Sequence, residues 1–165
     1  MTDFKSLLGT LVAHRVEFLI VGGAAATAHG SARLTQDLDI VYRRSPENLD
    51  RLASALGPHS PYLRGAPPGL PFYWDARTLR RGLNFTLVTT LGDIDLLGEI
   101  TGGGTYENLL PHTVEIDLFG LRCRCLDLPS LIRVKRAAAR PRDLEAIAEL
   151  EALLKQRQKT PPASP

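Results

Sequence analysis

The chain has 165 residues, 44% of them hydrophobic and 23% charged, with a net charge of +2. That length fits one domain whose core needs no staples. Two cysteines give no disulfide framework, no apolar run approaches the ~20 residues of a membrane span, and so weak a global field does not by itself imply nucleic acid.

The N-terminus, MTDFKSLL, carries an early acid and no long apolar stretch, so it does not read as a signal peptide, and a cytoplasmic protein is expected. Phe4, Leu7, Leu8, Leu11 and Val12 are spaced for a helix over residues 3–14. Val16–Val21 is a short β-forming run that ends at Gly22-Gly23, and the alanine-rich stretch Ala24–His29 reads as a helix stopped by Gly30. Asp37–Tyr42 is the next strand. Ser45 as cap and Pro46 at the first helical position start a helix that reaches about Leu56.

Residues 57–71 contain five prolines and three glycines and read as a long loop. A short helix is expected from Asp75 to Arg80. Leu83–Thr89 and Ile94–Leu97 flank a turn at Gly92-Asp93, and Thr113–Leu118 and Leu121–Leu126 flank one at Phe119-Gly120, which predicts two hairpins. A short helix is placed at Tyr106–Leu110. Asp127 or Ser130 caps a helix to Ala139, and a last helix runs to about Gln156. Residues 1–157 are thus expected to form one α/β domain, more fully an α+β arrangement with a mixed sheet and two C-terminal helices. Residues 158–165 are expected to be a disordered tail.

The chemistry concentrates at LTQDLDIVY, residues 34–42. Alternation along a strand points Asp37 and Asp39 the same way, with Cβ atoms roughly 7 Å apart, while Leu38 and Ile40 face the core. Two carboxylates aimed at one spot repel unless a cation lies between them, and Mg²⁺ commonly takes one or two carboxylates plus substrate phosphates. Gly23 would let the backbone approach a phosphate closely, because no Cβ intervenes. A third acid is sought in LGDIDLLG. Asp95 sits inside an apolar strand, where an aspartate is costly without a partner, so it is chosen. Asp93 is read as turn chemistry, and Asp117 as an outward strand position facing solvent or the arginines opposite.

This arrangement resembles the nucleotidyltransferase superfamily that includes DNA polymerase β. The closer likeness is to small bacterial nucleotidyltransferases related to the AbiEii toxins. It is carried by VGGAAATAHGSARLTQDLDIVY at 21–42, LGDIDLL at 91–97 and VKRAAARPRDLEAI at 134–147. The resemblance implies a nucleotidyltransferase-fold core. It makes Gly22 and Gly23 the motif that holds the triphosphate, Asp37 and Asp39 the metal ligands, and Asp95 the third acid, which helps activate an acceptor hydroxyl. Lys135 would be the basic residue on a following helix that contacts the nucleotide. Gly-Gly stands where Gly-Ser is commoner, so a serine hydroxyl is absent at that position.

Other residues carry competing readings. Arg33, in the loop before the acid pair, is a candidate for the triphosphate. His29 is read either as a phosphate contact or as helix-end packing. Arg140 and Asp143 read as an ion pair joining the last two helices. Cys123 and Cys125 read as core residues, since C-x-C with no third thiol and no nearby histidine is a poor zinc site. Tyr73 and Trp74 read as a satellite apolar cluster or a stacking surface. Arg77, Arg80 and Arg81 form one basic group, and Arg133, Lys135, Arg136, Arg140 and Arg142 a second. Both read as solvated faces or as contacts for nucleotide or RNA phosphates.

The expected function is transfer of a nucleoside monophosphate from an NTP to a hydroxyl of RNA, protein or a small molecule, with Mg²⁺ or Mn²⁺ as cofactor. The AbiEii likeness adds a toxin-type role restrained by a cognate antitoxin-type partner. Two alternatives stand beside it: a catalytically silent nucleotide- or partner-binding relative, and a scaffold without nucleotide, which leaves three inward acids unexplained.

Overall fold

A computed structural model describes residues 1–138, 140–141 and 143–159. Ala139, Arg142 and the tail from Thr160 onward lie outside the described residues. The elements in chain order are α1 (Phe4–Ala13), β1 (Phe18–Val21), α2 (Gly22–Ala28), β2 (Asp37–Tyr42), α3 (Pro46–Leu56), β3 (Tyr62–Leu63), α4 (Ala76–Arg81), β4 (Asn84–Thr89) and β5 (Gly92–Leu97). There follow β6 (Glu99–Ile100), β7 (Gly104–Thr105), α5 (Tyr106–Leu109), β8 (Thr113–Leu118), β9 (Leu121–Leu126), α6 (Leu128–Ala138) and α7 (Asp143–Lys159). Gln158 and Lys159, expected in the tail, extend α7. Among the described residues no helix is long and apolar enough to cross a membrane.

Local chemistry explains most boundaries. Asp3, Ser45, Asp75 and Thr105 each accept a backbone N–H of the first turn that follows, at α1, α3, α4 and α5. Asp127 does the same before α6, where its carboxylate accepts Ser130 N–H at 2.8 Å. The β8–β9 hairpin turns at Phe119-Gly120, both with positive φ. The loop at 57–71 holds more order than expected. A 3₁₀ turn spans Gly57–His59, and Tyr62-Leu63 pair with Val88 and Leu87 as an edge strand.

Seven strands form one sheet in the order β3-β4-β5-β2-β1-β9-β8. β2 pairs antiparallel with β1 and parallel with β5, and β1 pairs parallel with β9, so the sheet is mixed. The β2–β5 register places Leu38 beside Ile94 and Ile40 beside Leu96, all four without exposed surface. The same register puts Asp37 beside Asp93 and Asp39 beside Asp95 on the opposite face. One face of this strand pair is therefore core, and the other is a row of acids.

α2 is fixed from behind by His29. Its Nε2–H donates to Leu126 O at 2.7 Å, while Nδ1 accepts from Arg157 of α7 at 3.1 Å, and Arg157 also donates to His29 O. Burial pushes the imidazole below its usual range, which keeps it neutral and leaves Nδ1 a lone pair for the guanidinium. Of the two readings of His29, this geometry is helix-end packing. Cys123 and Cys125 are free and buried, and burial pushes the Cys125 thiol up to about 12. Contrary to the expectation of no nearby histidine, His29 Nε2 lies 3.8 Å from Cys125 Sγ. Both nitrogens of that ring already have partners, so the contact adds packing rather than a metal ligand. Trp74 packs against the core and donates to Ala53 O, whereas Tyr73 is exposed.

Candidate active site

Asp37, Asp39 and Asp95 converge. Each offers a carboxylate oxygen, and these oxygens all lie within 4.8 Å of one another. Parallel pairing creates this meeting, because Asp39 and Asp95 are direct neighbours across β2 and β5. Burial, followed by the charges of Asp37 and Asp95, pushes the Asp39 carboxyl up to about 8, against the pull of Lys135. Asp95 is also raised by burial, against the Arg64 guanidinium. Asp39 Oδ1 is buried with no hydrogen-bond partner among the described residues. A buried, unpartnered carboxylate oxygen among like charges is what a hard cation stabilises, and an all-oxygen donor set suits Mg²⁺ or Mn²⁺. The residues fit such an ion.

Gly22 opens α2 directly beside Asp39. Its φ is +63°, and a Cβ there would overlap Asp39 Oδ2. Gly22→Ala should therefore cost about 2–3 kcal/mol, through the left-handed backbone and the displaced carboxylate together. In a chain of this size that is roughly 5–10 °C in Tm. Thermal melts and Mn²⁺ titration check it. Unchanged melting with unchanged Mn²⁺ binding would show that the close approach is immaterial.

Gly23 meets Thr35 instead. A Cβ at position 23 would lie 2.7 Å from Thr35 Oγ1, so the threonine hydroxyl stands where a serine side chain at 23 would point. Thr35 also donates to Asp37 O at 3.1 Å, which ties that hydroxyl to the first acid.

Lys135 of α6 lies between two cavities. One, of about 280 Å³, is lined by Gly22, Asp39, Asn84, Glu99, Lys135 and Arg140. The other, of about 230 Å³, is lined by Gly23, Ser31, Arg33, Thr35, Lys135 and Glu149. The predicted residues Gly22, Gly23, Asp39 and Lys135 are thus brought together. Arg33 reaches the second cavity, but its guanidinium is paired with Glu145 of α7 at 2.9 Å. Arg140 pairs with Asp143 at 2.9 Å, as expected, and also borders the first cavity. Asp117 is exposed on β8 opposite Arg122, away from the acids.

Two features depart from the sequence reading. Asp93 is not a turn residue. The turn falls at Thr90-Leu91, and β5 begins at Gly92, which sets Asp93 on the acid face. The second is Arg64, from the 57–71 segment. Its Nη2 lies 2.9 Å from Asp95 Oδ1, Nε 3.4 Å from Asp93 Oδ2 and Nη1 3.7 Å from Asp37 Oδ2. A lone arginine between leucine and glycine carries no motif. The signal available was charge balance, since four acids on one face call for a cation from elsewhere in the chain.

No protein-family model matches the sequence, and no curated protein does. Solved structures do. A Thermotoga maritima protein described as a candidate nucleotidyltransferase (TM1012) matches with a TM-score of 0.50 at 13% identity, over 94% of this chain and 91% of that one. The antibiotic-resistance factor ANT(2″)-Ia matches in its solution structure with a TM-score of 0.52 at 14% identity, over 93% of this chain and 90% of that one. Its crystal structure in complex with adenylyl-2″-tobramycin gives 0.51 at 14% identity, over 93% of this chain and 95% of that one. The chain has a nucleotidyltransferase fold. At these identities the likeness concerns the fold.

Proposed function

We propose that the protein is a divalent-metal-dependent nucleotidyltransferase, moving a nucleoside monophosphate from an NTP to an acceptor hydroxyl. The observation that carries this reading is the convergence of Asp37, Asp39 and Asp95, with Asp39 Oδ1 buried and unpartnered beside Gly22. Asp37 and Asp39, with Asp95, would hold Mg²⁺ or Mn²⁺. A bound ion would supply neutralisation of the triphosphate and polarisation of the phosphorus–oxygen bonds.

The chain's own groups do the rest. Gly22 and Gly23 let the triphosphate approach the backbone without a Cβ, and Thr35 offers the hydroxyl that position 23 lacks. Lys135, between the two cavities, reaches phosphate from either, and Arg33 can join it on leaving Glu145. Asp95 takes the proton of the acceptor hydroxyl as its oxygen attacks the α-phosphorus. The bond to the bridging oxygen breaks, and pyrophosphate leaves.

The acceptor is a hydroxyl of RNA, protein or a small molecule. The adenylylated tobramycin held by ANT(2″)-Ia supports including aminoglycoside-like hydroxyls in an acceptor panel. The AbiEii likeness supports RNA and protein acceptors with a cognate antitoxin-type partner. Incubation with labelled NTPs and Mg²⁺ or Mn²⁺ tests the assignment. Transfer should be present in the wild type and absent in Asp37→Ala/Asp39→Ala, and equal transfer by both would sink it. One observation favours a second reading, a catalytically silent relative: Arg64 already supplies a positive charge to three acids. NTP binding by calorimetry without turnover on any acceptor would favour that reading.

A further inference from the structure

We propose that Arg64 is an internal counter-cation of the acid cluster, seated among the carboxylates of the metal-free protein and driven out when a divalent cation binds. The inference rests on the metal-site reading above.

The contacts overlap. Arg64 lies against Asp37, Asp93 and Asp95, while the oxygens that converge for a cation come from Asp37, Asp39 and Asp95. Two of the three carboxylates are shared. A guanidinium and a dication drawn to the same half-buried pair repel each other, and the low local dielectric strengthens that repulsion.

The seat is held by charge more than by hydrogen bonds. Nη2 donates to Leu87 O at 2.9 Å. Its Nη2 lies 2.9 Å from Asp95 Oδ1 but is poorly aligned with it, and Nε is buried without a partner that meets it. A group built only to brace β3 and β5 would be expected to use its donor fork fully, since bidentate pairing is what arginine offers carboxylates.

The backbone is fixed independently of the side chain. Arg64 N–H donates to Thr86 O at 2.9 Å, directly after the β3–β4 pairing. The guanidinium can therefore leave by rotation of its own side chain while the strand edge stays in place.

The test reads metal binding and not turnover. Mn²⁺ is titrated into the wild type, Arg64→Gln and Arg64→Lys, with free Mn²⁺ followed by electron paramagnetic resonance and folding by circular dichroism. Arg64→Gln should bind Mn²⁺ about tenfold tighter or more, because a competing unit charge has been removed, whereas Arg64→Lys, which keeps the charge, should stay close to the wild type. A folded Arg64→Gln that binds no tighter than the wild type overturns the proposal and makes Arg64 a brace for the acids. In that outcome the metal site survives. Absence of Mn²⁺ binding in wild type and variants alike overturns this inference and the metal site together. If Arg64→Gln does not fold, ¹⁵N spectra of the wild type decide, with the Arg64 Nε–H signal assigned by its loss in Arg64→Lys. Saturating Mg²⁺ should move that signal and speed its exchange with solvent. A signal unchanged by Mg²⁺ overturns the proposal.

Discussion

Asp39→Asn is expected to abolish nucleotidyl transfer and, at pH 8, to raise the melting temperature of the metal-free protein. The two effects have opposite signs because they have one cause. Burial, followed by the charges of Asp37 and Asp95 beside it, pushes the Asp39 carboxyl up to about 8. The metal-free fold carries the repulsion of that charge, and the metal-bound fold uses it. Asparagine keeps the shape, removes the charge and gains an N–H₂ that can donate to Asp95. Relief of a buried repulsion of this kind is worth about 1–3 kcal/mol, or roughly 2–10 °C for a chain this long. Transfer should fall at least ~10³-fold, since a cation ligand contributes several kcal/mol to charge stabilisation during phosphoryl chemistry. Melting curves with EDTA and single-turnover transfer with labelled NTP measure the pair. An Asp39→Asn protein that melts lower and still transfers would mean that Asp39 is a structural acid.

That prediction draws on both what the sequence discloses and what it hides. The alternation in Asp37–Tyr42 is a local property, and it correctly divides acid face from core face. The same holds for the Ser45-Pro46 helix start and for the Phe119-Gly120 hairpin, where backbone preference and side-chain pattern agree within a few residues. Strand order is not local. Nothing in either segment announces that β5 pairs parallel with β2 in the register that sets Asp39 beside Asp95. The cost of an aspartate inside an apolar strand singles out Asp95, and the family resemblance adds its meeting with Asp37 and Asp39, which alternation alone could not. β3 was missed because two residues make no alternating pattern, and its pairing depends on β4 about 25 residues later. Arg64 was missed with it, since its role exists only once β3 has delivered it to the acids. Asp93 was misread because turn composition at Gly92-Asp93 competes with strand alternation, and the strand won by continuing two residues further, through the pairs Val88–Asp93 and Thr89–Gly92.

The acid cluster also fixes how stability should respond to pH. Asp39 has a folded value of about 8 against 3.8 for the unconstrained group, so between those values the folded state holds more protons than the unfolded one. Its contribution to stability is then complete below about pH 3.8 and is lost as pH rises through 8. Over that window the loss is on the order of a few kcal/mol. His29 runs the other way. Its value is lowered, so its contribution is present above ~6.5 and lost as pH falls. Cys125, pushed up to about 12 from 9.0, begins to matter only above pH 9. The interval from pH 7 to 9 therefore isolates the acids, and there the metal-free protein should melt progressively lower. A divalent cation binds the ionised carboxylates and expels the proton, so the stabilisation it gives should grow with pH over the same interval. At 100 times its dissociation constant the ion adds about 2.7 kcal/mol, enough to flatten or reverse the slope. Asp39→Asn should be nearly flat in both conditions. Melting temperatures at pH 7, 8 and 9, with EDTA and with Mg²⁺, test all of this at once. A Mg²⁺-induced shift of equal size at pH 7 and 9 would mean that the cation does not compete with the Asp39 proton and binds elsewhere.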